Sequence, residues 1–329
     1  MKKARIAVVA LAVLMLFAAV SCKEPHVHEF GDWEVTKEAT CTEAGVETST
    51  CKGEGCTETK TREVEALGHS LDKDGKCVRC DKELAAAKIG DVGYKTLVEA
   101  INAAKDGDVV TLLWDASGAG LSSADAKGEF IGSRGNLVID FAGHTYTMLN
   151  PAVGSKGTET QAMHWGKSLA SVEMKNGTFK VAENATEVKM AMQNYVKFTA
   201  KDMEFDFSNI TVCHYGANEF KGANAIYNGL EAPMFNNNSG ETMVLENCKL
   251  TMPKDSSKGI SPDDGGLTLK NTIVDGSANL QCEDCKLTLV GESSVKGVVP
   301  YFENSGTVEK TTNADGSITY KLVSPTAGV

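Results

Sequence analysis

"EMKNGTF" (173–179) decides how this chain is read, because its pattern returns five more times downstream and upstream. An apolar residue is followed by one variable position, then Asn, Asp or Gly, and an apolar residue three places later. The other copies are "DFAGHTY" (140–146), "TAKDMEF" (199–205), "VLENCKL" (244–250), "TLKNTIV" (268–274) and "QCEDCKL" (281–287). Their central residues are Gly143, Asn176, Asp202, Asn247, Asn271 and Asp284. Gly, Asn and Asp are the residues that enter left-handed backbone angles at low cost, so each copy is expected to turn a strand through a corner. Between corners, alternation sends every second side chain to one face. Corner spacings of 24 to 45 residues suit one coil of a solenoid with loops of variable length. The 13-residue step to Asp284 is too short for a coil, so that copy is expected at a different corner.

Working outward, "VGYKTLVEAINAAKDGDVVTLL" (92–113) opens the region with an amphipathic helix, Leu97, Ile101 and Ala104 on one face, followed by a strand. At the far end "GTVEKTTNADGSITYKLV" (306–323) reads as a hairpin turning at Asn313–Gly316. Residues 88–323 resemble a single-stranded, right-handed parallel β-helix of the pectate-lyase-like type. In that resemblance the helix and first strand cap the solenoid, "NLVIDFAGHTYTM" (136–148) is its first full coil, and the hairpin covers its last. The resemblance implies architecture and not activity, since such folds serve lyases, hydrolases, adhesins and spacers. Residues 324–329 are a tail.

The N-terminus reads as a targeting segment. Lys2, Lys3 and Arg5 precede an apolar run, Ile6–Val20, too short for a membrane span of roughly 20 residues. "AAVSC" (18–22) resembles the lipobox of bacterial lipoproteins, with Ala19 where Leu is usual. The resemblance implies removal of a 1–21 signal peptide and acylation of Cys22, followed by a short tether, 22–25. Ordinary signal cleavage and an uncleaved anchor are the alternatives. The expected localisation is the bacterial envelope, lipid-anchored and surface-exposed. Loss of residues 1–21 takes the formal net charge from −11 to −14, which makes nucleic acid and anionic lipid surfaces poor partners.

Residues 26–83 differ in composition. Five Cys and three His stand among few large aliphatics, so metal or disulfides must do what a core does elsewhere. Cys51 and Cys56, then Cys77 and Cys80, have the spacing of two knuckles that close a tetrahedral zinc-ribbon-like site. A second, weaker set is Cys41 with His26, His28 and His69. Disulfides are the alternative reading of the same cysteines in an exported chain. The segment resembles a repeat of bacterial cell-surface proteins, carried here by His26 and His28, Trp33, Thr40–Cys41, Cys51 with Cys56, and Gly68–His69. "CKGEGC" (51–56) is longer than that repeat's usual gap.

The chain shows little that looks catalytic. Arg134 is the single arginine of the 88–323 region, and Asp263 with Asp264 forms the paired carboxylates on a coil loop, read as a solvated turn. His144 is expected to pack beside a corner. "MHWGK" (163–167) and "CHYGANEF" (213–220) set His164 and His214 beside aromatics, either packing in loops or flooring a sugar site. Cys282 and Cys285 read first as packed thiols, then as a disulfide, then as metal ligands. The expected function is a non-catalytic surface protein that is adhesive, glycan-binding or structural, with glycans or surface proteins as its partners besides the membrane that holds its anchor. The alternative is a lyase or hydrolase acting on acidic polysaccharide.

Overall fold

A computed structural model describes residues 27–123, 135–154, 159–210, 232–236, 240–254, 259–262, 266–280, 285–300 and 307–323. The chain divides into two compact units, Met1–Gly68 and His69–Val329. The break therefore falls inside the Cys- and His-rich segment, and His69, Cys77 and Cys80 belong to the second unit.

The first unit is a three-stranded antiparallel sheet of Glu34–Lys37, Gly45–Thr50 and Thr59–Val64, paired in that order. Its buried described residues are Cys41, Gly45, Ser49, Cys51 and Cys56, so no aliphatic or aromatic side chain supplies a core. The aromatics lie on the surface instead. The Arg62 guanidinium sits 4.5 Å from the Trp33 ring centre and its Nε donates to Glu47 at 2.6 Å, while the Lys60 ammonium lies 4.1 Å from the Phe30 ring. Such exposed contacts are individually weak.

Among its described residues the second unit is mainly β with one short helix, Leu97–Ala103. Thr96 and Glu99 close the helix start as a reciprocal capping box, and Leu97, Ala100 and Ile101 turn inward. The strands after it, joined by Ser70–Leu71 before it, form three parallel ladders. One runs through Val109–Leu112, Gly135–Asp140, the starts of Leu169–Val181 and Lys197–Asp206, then Met243–Glu246, Leu267–Lys270 and Lys286–Val290. The second, beyond the corners, runs from Ser70–Leu71 through Asp115–Gly118 and Thr145–Met148 to the start of Ser294–Pro300. The third links Leu121–Ser122, Gln161–Trp165, Met190–Asn194, Met234–Asn236 and Gly259–Ser261 to the ends of Ile273–Leu280 and Ser294–Pro300.

Each ladder stacks one buried apolar row on the next. Ile139, Met174, Ala200, Leu245 and Leu269 are in register, as are Tyr146, Phe179, Phe205, Leu250 and Val274, and Met163, Met192 and Met234. All of these side chains are buried. Fully burying one such side chain stabilises by about 1.5–3 kcal/mol, which makes these rows the main source of stability.

The corners adopt the expected backbone. Gly143, Asn176, Asp202, Asn247 and Asn271 have φ of 90°, 59°, 54°, 52° and 45°. Their side chains also link successive corners: Asn176 Nδ2 donates to Asp140 Oδ1 at 3.1 Å and Asn247 Nδ2 to Asp202 Oδ1 at 3.0 Å. Gly177 must lack a side chain, because a Cβ there would collide with Phe141 and the His144 carbonyl.

Two details of the repeat are corrected. Asp140 pairs with Lys175 and Thr145 with Thr178, so the first corner holds two extra residues and Ile139, not Phe141, is the partner of Met174. The last corner is Gly291, φ 64°, which follows Val290, the partner of Lys270. Asp284 lies outside the described residues. Leu287 pairs with Leu267, ahead of a corner, so Cys285 does not occupy the slot of Cys248.

Antiparallel strands close both ends of the first ladder. Ala87–Ile89 pairs with Val109–Leu112, and the hairpin Thr307–Thr312 with Ile318–Val323 lies on Lys286–Val290. Covering the edges in this way removes free pairing sites.

Candidate metal centres

Each unit brings two cysteines together with a histidine. In the first, His28, Cys51 and Cys56 present ligand atoms within 4.8 Å of one another, and in the second His69, Cys77 and Cys80 do so. None of these cysteines is in a disulfide.

The two groups are built alike. Phe30 makes an antiparallel bridge to Cys51, and Leu71 makes one to Cys77. His28 and His69 each stand two residues before the bridging residue, on the same side of the strand, so each ring comes to lie by a thiol. In the first group the Cys51 amide donates to the Glu58 carbonyl at 2.9 Å, and the Gly53 amide donates to Cys51 Sγ at 3.4 Å. The chain then turns through Gly55, φ 72°, to Cys56, whose Sγ is 3.3 Å from His28 Nδ1. In the second group the Asp72 carboxylate accepts from the amides of Asp74 and Lys76, both at 2.9 Å, and shapes the turn that returns the chain to Cys77. The Cys77 amide donates to the Lys82 carbonyl at 2.9 Å.

His69 Nδ1 lies 3.4 Å from Cys77 Sγ and 3.6 Å from Cys80 Sγ. A single imidazole nitrogen thus faces two sulfurs at similar distances, a clustering of three donor atoms within reach of one metal ion. Burial opposes ionisation of Cys77, yet the Ser70 and Arg79 amides and the His69 ring outweigh it and hold the thiol down at about 5. Thiolate is the form that binds metal. His69 is also held from behind, its ring edge-on to Trp114 at 4.8 Å.

Spacing groups Cys51 and Cys56 with Cys77 and Cys80. The fold instead joins each cysteine pair to a histidine of its own unit. Of the weaker set, His28 and His69 thus belong with different cysteine pairs. Cys41 is buried in the first unit beside Thr40, whose Oγ1 accepts from the amides of Thr42 and Glu43. His26 and Cys22 lie outside the described residues. A shared signal was readable: His28-Glu-Phe30 and His69-Ser-Leu71 each place His two residues before the apolar residue that bridges to a cysteine.

The remaining candidates fall elsewhere. His144 Nδ1 lies 3.6 Å from Asp115 Oδ1, near Trp114. "MHWGK" is not a loop: His164 and Trp165 are wholly buried in the strand Gln161–Trp165, so neither offers a face to a sugar. Burial pushes the His164 ring down to about 4, and its ring meets Tyr195 edge-on. Cys285 is disulfide-bonded, which replaces the expectation of a packed thiol. Cys282, Arg134, Cys213, His214, Asp263 and Asp264 lie outside the described residues. Beside the corners an open groove of about 510 Å³ is lined by Asp202, Glu204, Asn247, Lys249 and Asn271. No helix among the described residues is long and apolar enough to cross a membrane.

No protein family, curated protein or solved structure matches this chain.

Proposed function

We propose that the chain is an exported surface protein, lipid-anchored through Cys22, that displays a right-handed parallel β-helix and binds glycans without catalysis. Parallel strands joined by crossovers are right-handed in about 98% of cases, which supports that hand for the stack. The observation that carries the binding reading is the outer face of the second ladder. Thr178, Glu204 and Lys249 stand in one register row and Lys180, Asp206 and Thr251 in the next. Successive rungs are about 4.8 Å apart, so hydrogen-bonding groups recur at a fixed interval beside the groove. The test is a panel of neutral and acidic polysaccharides offered to the protein and to the Glu204→Ala/Lys249→Ala pair. Binding that weakens about tenfold in the variant, with unchanged melting, supports the reading. Absence of binding, or release of unsaturated products, overturns it. For the anchor, Cys22→Ala is expected to move the protein from the membrane fraction to the soluble one.

We assign zinc to the Cys/His groups as a structural ion. Tetrahedral Zn–N and Zn–S bonds of about 2.0–2.3 Å put N and S roughly 3.6 Å apart, near the 3.3, 3.4 and 3.6 Å separations present. A tetrahedral ion takes a fourth ligand at each place, and His26 and Cys41 are the remaining donors that the sequence groups with these histidines. Metal analysis of the purified protein tests this, and a protein without zinc sinks it.

A further inference from the structure

The hairpin that carries the second group also begins the second ladder. Ser70–Leu71 pairs in parallel with Asp115 and Ala116, and Leu71, 1% exposed, heads the buried row that continues through Ala116 and Tyr146. Ser117 Oγ adds a bond to the Leu71 carbonyl at 3.2 Å. Beyond Leu71 the hairpin has almost nothing apolar to hold it. From Asp72 to Glu83 only Gly75 and Cys77 are buried, and Val78 is 65% exposed. Backbone bonds such as Val78 to Ser70, Cys77 to Lys82 and Leu84 to Gly75, with a bridge between Lys76 and Glu83, fix the turns, but each contributes a net of only about 0.5–1.5 kcal/mol, no more than the cost of ordering one residue, about 1–2 kcal/mol. The one device inside the hairpin that can offset that cost is the group His69, Cys77 and Cys80, which ties its start to its turn.

We propose that the ion at His69, Cys77 and Cys80 is the cap of the parallel stack: with metal, residues 70–83 cover the first rung of the second ladder, and without it they detach and leave the edge of Asp115–Gly118 open. This rests on the zinc reading above and adds a role to one of its two sites. The ion at His28, Cys51 and Cys56 has no part in it.

Lys73, Lys76, Arg79 and Lys82 are exposed trypsin sites within the cap, so detachment is readable as cleavage. A second reading comes from Trp114, whose ring touches His69 and whose emission cobalt in the site quenches. In the full chain, chelation is expected to speed cleavage at these four sites by at least about tenfold, and zinc to restore protection. The Cys51→Ser/Cys56→Ser pair should behave likewise. The Cys77→Ser/Cys80→Ser pair should be cut fast with or without chelator, and its Trp114 emission should not respond to cobalt. Because chelation and reloading use the unaltered protein, the result does not depend on how either variant folds. A chain that releases zinc from His69, Cys77 and Cys80 with unchanged cleavage overturns the cap while leaving the zinc reading intact. A chain that contains no metal at all overturns both.

Discussion

The two units solve the same problem by opposite means. The second stacks rows such as Tyr146, Phe179, Phe205 and Leu250 in register, so every rung buries the one before it. The first has a sheet of comparable regularity whose buried described residues are three cysteines, a serine and a glycine. A sheet with no apolar layer needs closure of another kind, and the cluster of Cys51, Cys56 and His28 has the donor atoms to supply it through the proposed ion. In the cap proposed above, the hairpin at residues 70–83 uses a second cluster of the same kind, His69, Cys77 and Cys80, at the edge of a unit whose rows otherwise bury one another.

Four measurements would break or sharpen that contrast. The largest effect is expected from removing metal: the sheet of residues 34–64 should lose its structure while the ladders persist. Apparent zinc-binding energies near 10 kcal/mol are folding energy in such modules. Far-ultraviolet dichroism with tryptic mapping would show it, and a chelated protein with residues 34–64 still protected would break the contrast from one side. From the other side, Phe205→Ala should cost the second unit about 3–5 kcal/mol in denaturant melts and leave metal uptake by the first unit unchanged.

Acidification should separate the ladders from the metal groups. His164 is held neutral by burial, with its pKa near 4 against 6.5 when unfolded. Between these values the unfolded chain binds the extra proton, so stability is intact above about pH 6.5, declines as pH falls, and levels below about 4. The loss approaches about 3 kcal/mol. Subtracting the pH profile of His164→Gln isolates this contribution from the thiolates, and identical profiles would refute it. The smallest effect is at the corners. Asn247→Ala, at φ 52°, should cost about 1–2 kcal/mol, and Asn247→Gly less, since glycine loses the exposed side-chain links to Asp202 and Asn271 but adopts the left-handed angle without strain.

The corners were legible because left-handed geometry is a property of one residue and its neighbours. Asn176, Asp202, Asn247 and Asn271 declare it wherever they stand. The flanks of the first corner were misaligned because apolar residues stand there at more than one offset. Only pairing with the adjacent rung chooses Ile139 over Phe141, and only pairing of Val290 with Lys270 reveals Gly291 as a corner. "MHWGK" was read as a loop because a strand covered on both faces loses the alternation that marks a strand. The metal groups were half legible: the cysteines and histidines were the right residues, but which His joins which pair depends on the bridges Phe30 to Cys51 and Leu71 to Cys77.

The sequence by itself determined the residues with special backbone angles, the alternation that makes inward rows, and the poverty of apolar side chains that obliges residues 27–83 to find another closure. These depend on single side chains and short-range geometry. The register of the rungs, the burial of His164 and Trp165, and the assignment of one histidine to each cysteine pair were decided only in the tertiary structure. Each depends on contacts between residues far apart in the chain, where many pairings satisfy the local rules and packing selects one.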